Sequence, residues 1–296
     1  MEIKKNFDIK KLTTFKTGGI IETVFLPESV DEFVEILSQN PDIQVFGNLS
    51  NTLISSYGYD GKIILTNRIN NIFIDGQRVV AGCGVKGPKL SQEVCKNGLS
   101  GLEFMVGFPG SVGGEVCMNA SAHAQAISDK IKFVKCYDKG MKTFSKSEMG
   151  FEYRTSRCQK EGLVVLEVEF ELEEKNPIEI QDKMNENLDF RKAHQPSLLL
   201  PNCGSIFKNP SEHSAGKLLD NVGAKDLSCG GVKVWENHAN FIVNVNNGTS
   251  KDILKLMLEM QTRVKQNYNI HLEPEIKFLG GKDKEENELW YKLNKK

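Results

Sequence analysis

The segment Gly101–Ala122, GLEFMVGFPGSVGGEVCMNASA, places Gly107, Gly110, Gly113 and Gly114 around Pro109 and closes on Asn119-Ala120-Ser121. Glycine has no Cβ, so it admits positive φ and close approach, and successive backbone N–H groups can turn toward one anion such as a pyrophosphate. The segment reads as a nucleotide-cofactor loop. On glycine count alone, a tight turn between two core elements is the alternative, and the surrounding chain must decide.

Upstream, Ser29 and Glu32 have capping-box spacing ahead of a helix from Val30 to Leu37, with Phe33, Ile36 and Leu37 on one face. Gln44-Val45-Phe46 reads as a short strand running into the polar loop Gly47-Asn48-Leu49-Ser50-Asn51, and Lys62–Leu65 as another strand after Asp60-Gly61. Helical spacing from Lys89 to Asn97 stops at Gly98, immediately before the glycine-rich segment. Downstream, Leu166, Val168, Phe170 and Leu172 alternate with Glu167, Glu169, Glu171 and Glu173, the pattern of a strand with one wet face.

Lys175-Asn176-Pro177 breaks that strand and Ile178–Lys192 returns to helical spacing, so a domain boundary is expected near Asn176. The second half has its own core elements: a strand at Phe241–Val243 and a helix from Lys251 to Gln266 capped by Thr249 or Ser250. Residues 1–176 and 177–281 are expected as two domains. The charge-dense residues 282–296 are expected as a solvated or frayed tail.

A length of 296 residues suits two domains, and 39% hydrophobic with 26% charged residues is ordinary for a globular protein. A net charge of −1 gives no electrostatic reason to expect nucleic acid. No apolar leader or membrane-length run is seen, so a cytoplasmic protein without membrane insertion is expected. The seven cysteines are scattered without a C-x-x-C pair, which argues for reduced thiols and no metal site. Cys203 is expected to be a buried small residue, since no positioned base accompanies it.

Three further segments carry chemistry. In Phe151–Arg157, FEYRTSR, Arg154 sits among hydroxyls and aromatics, where a guanidinium can clamp a carboxylate bidentately. In Asn202–Pro210, NCGSIFKNP, Ser205 follows glycine in a polar turn and precedes Lys208-Asn209, a pair suited to phosphate or sugar. In His271–Ile276, HLEPEI, Pro274 stiffens the chain between Glu273 and Glu275.

Taken in order, Thr14-Phe15-Lys16-Thr17-Gly18-Gly19, Gly47-x-x-Ser50-Asn51, the Gly101–Ala120 segment, Tyr153-Arg154, Gly204–Pro210, Ala215-Gly216-x-Leu218, His238–Asn244 and Leu272–Glu275 resemble the UDP-N-acetylenolpyruvoylglucosamine reductase family over nearly the whole chain. The resemblance implies an α+β protein: an FAD-binding domain of the vanillyl-alcohol oxidase/PCMH type followed by a smaller α/β substrate-binding domain. It implies noncovalent FAD, NADPH as hydride donor, and UDP-N-acetylglucosamine enolpyruvate reduced to UDP-N-acetylmuramate for peptidoglycan, with links to cell-wall biogenesis, cell shape and cell division. It also implies roles. Ser205 would protonate the substrate carbon beside the carboxylate, with Arg154 and Glu275 stabilising the intermediate. Gly47, Asn48, Ser50, Asn51, Gly110, Ser111, Gly113, Gly114, Asn119 and Ala120 would hold FAD. Asn209, Lys208 and Tyr153 would meet the substrate.

Four positions depart from the family pattern. Leu49 stands where glycine is usual and is expected to block positive φ near the FAD phosphates. Ser121 replaces a glycine, His123 a frequent tyrosine, and Arg157 a less polar residue. The short interval between Tyr153 and Ser205 resembles the subtype that lacks an extra substrate-clamping loop. The rival readings are a divergent flavoprotein oxidase of the same fold and a non-catalytic nucleotide-sugar-binding paralogue.

Overall fold

The computed structural model describes residues 1–295, and these divide into two compact units that are not contiguous in sequence. The first holds Met1–Lys4, Val24–Asn48 and Lys62–Arg191, and the second Lys5–Thr23, Leu49–Gly61 and Lys192 onward. Asn176 therefore marks the start of helix Pro177–His194, and the first unit ends later, at Arg191.

The first unit is built on a five-stranded antiparallel sheet in the order Met141–Ser145, Ile131–Tyr137, Val164–Glu171, Arg78–Gly82, Ile72–Asp75. Its central strand carries the alternation read from sequence. Leu166, Val168 and Phe170 are fully buried. The opposite face is laced by ion pairs, Glu167 with Lys135 at 3.2 Å, Glu169 with Arg78 at 2.8 Å and Glu171 with Lys132 at 2.9 Å. Each such exposed pair is worth at most about 1 kcal/mol, so the buried face holds the sheet together.

Around the sheet, helix Val30–Gln39 buries Phe33, Ile36 and Leu37, and Ser29 caps it by accepting from Glu32 N–H. The Glu32 carboxylate turns to Glu28 N–H and the chain's amino terminus, so only half of the expected capping box forms. Gln44–Phe46 pairs in parallel with Ile63–Leu65. Helix Gly87–Lys96 starts two residues before its expected position because Pro88 presets the first turn, and Gly98 leaves it at φ +68°.

The second unit packs helices Ala215–Asn221, Ser250–Tyr268 and Lys284–Asn294 with an antiparallel sheet of Ser228–Cys229, Val232–Trp235 and His238–Asn244. Thr249 caps the longest helix through a complete capping box with Asp252. Phe15 and Leu53 join this core, and Thr52–Ile54 pairs in parallel with Lys277–Leu279.

The expectation of a frayed tail is overturned. Asp283 caps helix Lys284–Asn294, Leu289 and Leu293 face the core, and the buried Glu286 accepts from Ser55 Oγ at 2.6 Å and from Ser250 Oγ. Gln261 Nε2 ties the helix down by donating to Leu293 O at 2.8 Å.

Candidate active site

In the first unit the glycine-rich segment is a short 3-10 turn, Glu103–Gly107, followed by helix Val112–Cys117. Glu103 organises its entrance, accepting from Ser100 Oγ at 2.6 Å and from Gly101 N–H at 2.9 Å. Two backbone N–H groups of the segment are used within the protein. Val112 N–H donates to Val85 O and Gly113 N–H to Cys83 O, each at 2.8 Å, so these two groups are not aimed at a ligand. Close packing is what requires Gly113, because a Cβ there would meet Cys83 Cβ at 2.9 Å.

Gly47 is required for the same kind of reason, since its Cβ would fall on the Ser111 hydroxyl. Its neighbour Asn48 donates from Nδ2 to Pro109 O at 2.5 Å, so Gly47-Asn48 and Pro109–Ser111 form one backbone cradle. Within it the Ser111 hydroxyl is buried without a protein partner and makes no capping bond to its own helix. The amide oxygen of Asn119 is likewise buried and unpartnered, while its Nδ2 donates to Glu152 O at 3.0 Å. Gly114 is exposed, and Ala120 N–H donates to Glu115 O at 2.8 Å.

Arg154 lies in a tight turn closed by reciprocal bonds between Glu152 and Thr155. It takes φ +56°, stacks its guanidinium 5.3 Å from the centre of the exposed Tyr153 ring, and donates from Nη1 to Ser121 Oγ at 2.9 Å. Asn119 takes φ +45°. Non-glycine residues in this region persist where their surroundings hold them, and such residues gather at functional sites. Arg157 is accounted for by Glu161, to which Nε donates at 2.8 Å, and by the Phe144 ring 4.7 Å beneath it. His123 packs edge-on against Phe190 at 5.1 Å.

In the second unit, Ser205 and Glu275 come from neighbouring backbone segments. Ile206 N–H donates to Asn240 O at 2.9 Å, Glu275 N–H to Ile206 O at 2.8 Å and Lys208 N–H to Glu273 O at 2.9 Å. Asn240 clamps the segment with its amide, accepting from Phe207 N–H at 3.0 Å and donating to Phe207 O at 2.8 Å. Glu275 is buried, and its carbonyl accepts from Asn51 Nδ2 at 3.1 Å. Lys208 is ion-paired with Glu273 at 2.5 Å, and Asn209 Oδ1 accepts from Ala215 N–H at 3.0 Å at the start of helix Ala215–Asn221.

His238 Nδ1 accepts from Asn240 N–H, and burial pushes its pKa down, so it is a neutral ring that fixes Asn240. Cys203 donates to Ser50 O, and burial raises its thiol to about 12, which suits a structural residue. The expected block at Leu49 does not occur. Leu49 adopts φ +53°, with its side chain 4% exposed, so core burial offsets the strain of about 1–2 kcal/mol.

Asn240, Ser121 and Glu115 were not singled out as site residues from sequence. Asn240 was visible only within the His238–Asn244 motif, and Glu115 only as the lone acid of GSVGGEVCM. Among the described residues, no group of three or more histidines, cysteines and acids is arranged to hold a metal ion, and no helix is long and apolar enough to cross a membrane.

A cradle that any Cβ at Gly47 would fill, with a buried hydroxyl and a buried amide oxygen left unpartnered at Ser111 and Asn119, fits a nucleotide cofactor. Residues 21–140 match the family model of an FAD binding domain, and residues 195–279 that of the UDP-N-acetylenolpyruvoylglucosamine reductase C-terminal domain. The UDP-N-acetylenolpyruvoylglucosamine reductase of Caldicellulosiruptor bescii is 38% identical over 95% of this chain and 91% of its own. That of Latilactobacillus sakei is 37% identical over 95% of both chains. The crystal structure of the reductase MurB from Thermus caldophilus superposes with a TM-score of 0.81 at 32% identity, covering 94% of this chain and 98% of that one.

Fold and cradle together define an FAD-dependent oxidoreductase of α+β architecture. The chain belongs to the UDP-N-acetylenolpyruvoylglucosamine reductase family.

Proposed function

We infer that Arg154, Ser205 and Glu275 carry the family's chemistry in this chain. The reaction is the FAD-dependent reduction of UDP-N-acetylglucosamine enolpyruvate to UDP-N-acetylmuramate with NADPH, in peptidoglycan precursor synthesis. Bound FAD supplies a hydride carrier between NADPH and the enolpyruvyl double bond.

Hydride addition to an enol-ether acrylate builds negative charge on the substrate carboxylate. Arg154 would meet that charge with a planar guanidinium that Ser121 already orients at 2.9 Å. Ser205 would deliver its hydroxyl proton to the carbon beside the carboxylate. A serine is a weak acid in water, but a held hydroxyl can protonate a strongly basic carbon centre. Glu275 would take part through its buried carboxyl. The observation that carries the assignment is the pairing of the Ser205 segment with the Glu275 segment through Ile206 and Lys208, which fixes an acid hydroxyl and a carboxyl on adjoining backbone.

Gly47, Asn48, Gly110, Ser111, Gly113, Gly114, Asn119 and Ala120, with Ser50 and Asn51, are the proposed FAD residues, and Tyr153, Lys208 and Asn209 the proposed substrate contacts. A cytoplasmic location and a part in cell shape and division follow from that pathway. Anaerobic absorbance tests the reading: the flavin band should bleach with NADPH and recover with UDP-N-acetylglucosamine enolpyruvate. Recovery only with oxygen would contradict it.

A further inference from the structure

Glu115 is the one acid within helix Val112–Cys117, and the fold has made room for it. Its carboxyl lies between Gly87 and Gly110, whose backbones are joined by a 3.2 Å hydrogen bond. A Cβ on either glycine would come within 2.7 Å of Oε1. The side chain is 4% exposed, and neither carboxyl oxygen has a hydrogen-bond partner in the protein. The titratable groups on the elements around it are Lys86, Lys89 and Glu93 of the neighbouring helical segment, Cys83 facing Gly113, Cys117 at the end of its own helix, and Arg191, whose Nε donates to Gly107 O at 2.8 Å. None of them bonds to Glu115, and burial lifts its pKa to about 8.

An ionised carboxylate enclosed without donors is strongly disfavoured, and a second anion arriving at Gly110-Ser111 disfavours it further. We propose that Glu115 is a positioning residue of the glycine-rich turn that must be uncharged for the turn to receive FAD, so that cofactor capture is coupled to protonation of this carboxyl. The inference rests on the reading of Gly110 and Ser111 as cofactor-binding. It adds a pH-dependent control of cofactor retention to that reading.

The test is an FAD titration of the full chain between about pH 6.5 and 9.5, read by flavin fluorescence. The dissociation constant should be flat below about pH 8 and rise by up to about tenfold per pH unit above it. Glu115→Gln, neutral at every pH, should remove the rise. A flat profile in the unmodified protein, or the same rise in the Gln variant, would overturn the proposal. If the Gln variant does not fold, calorimetry of FAD binding to the unmodified protein near pH 8 in two buffers of different ionisation enthalpy decides: proton uptake supports the coupling and its absence overturns it. Ser111→Ala separates the two readings. Unchanged FAD affinity in that variant would remove the cofactor placement itself, whereas weakened FAD together with a pH-flat unmodified protein would remove only the role of Glu115.

Discussion

Arg154 Nη1 donates to Ser121 Oγ at 2.9 Å, so this serine has a defined partner in the turn that carries Arg154. The bond holds a guanidinium whose residue already sits at φ +56°. A hydrogen bond to a charged group contributes about 1.5–3 kcal/mol, and its loss here would fall on the orientation of Arg154. Ser121→Ala is expected to slow flavin reoxidation by the enolpyruvyl substrate about tenfold or more while leaving reduction by NADPH within about twofold. Equal slowing of both half-reactions would show that Ser121 supports the fold and not Arg154.

Gly47 and Ser111 form a second coupled pair. Gly47→Ala places a methyl group on the Ser111 hydroxyl and is expected to destabilise the protein by about 1–3 kcal/mol, measured by denaturant unfolding. In a Ser111→Ala background the same change should cost clearly less, because the oxygen it strikes is gone. Additive effects would mean that the two residues do not meet.

Burial of Glu115 also sets a pH dependence of stability. Its folded-state pKa, about 8, lies above the ordinary 4.5, so the folded state binds more protons than the unfolded chain between those values. Stability from this group is therefore full below about pH 4.5 and is lost as pH rises toward 8, by an amount on the order of several kcal/mol. Relative to the unmodified protein, Glu115→Gln should gain in melting temperature as pH is raised from 5 to 8, a window set by that shift. A constant difference across it would count against a neutral buried acid.

The final helix supplies a stability test of its own. Removing residues 282–296 strips Leu293 from the core and leaves Ser55 and Ser250 without Glu286. A loss of several kcal/mol is expected. Unchanged stability is what a frayed tail would have given.

Much of this was legible because local chemistry and tertiary packing agree. The Leu166–Glu173 alternation needed only period-2 geometry, and Ser29, Thr249 and Gly98 marked helix ends through caps that depend on near neighbours. The tail misled because seven acids and lysines from Lys282 to Lys292 hide the two-residue apolar stripe of Leu289 and Leu293. The division into units was hidden because Thr52–Ile54 finds its partner at Lys277–Leu279, a pairing no local pattern reveals. Ser205, Arg154 and Glu275, the residues proposed for catalysis, were readable as motif residues. Asn240 was not, because its role depends on two bonds to Phe207 that exist only in the folded chain.

The most direct measurement of the central claim is anaerobic single-turnover kinetics of Ser205→Ala, with the two flavin half-reactions followed separately. Reduction by NADPH should proceed at nearly the unmodified rate, while reoxidation by UDP-N-acetylglucosamine enolpyruvate should fall by about a thousandfold or more. Reoxidation at a near-normal rate would contradict the assignment of Ser205 as the proton donor, as would an equal loss in both steps.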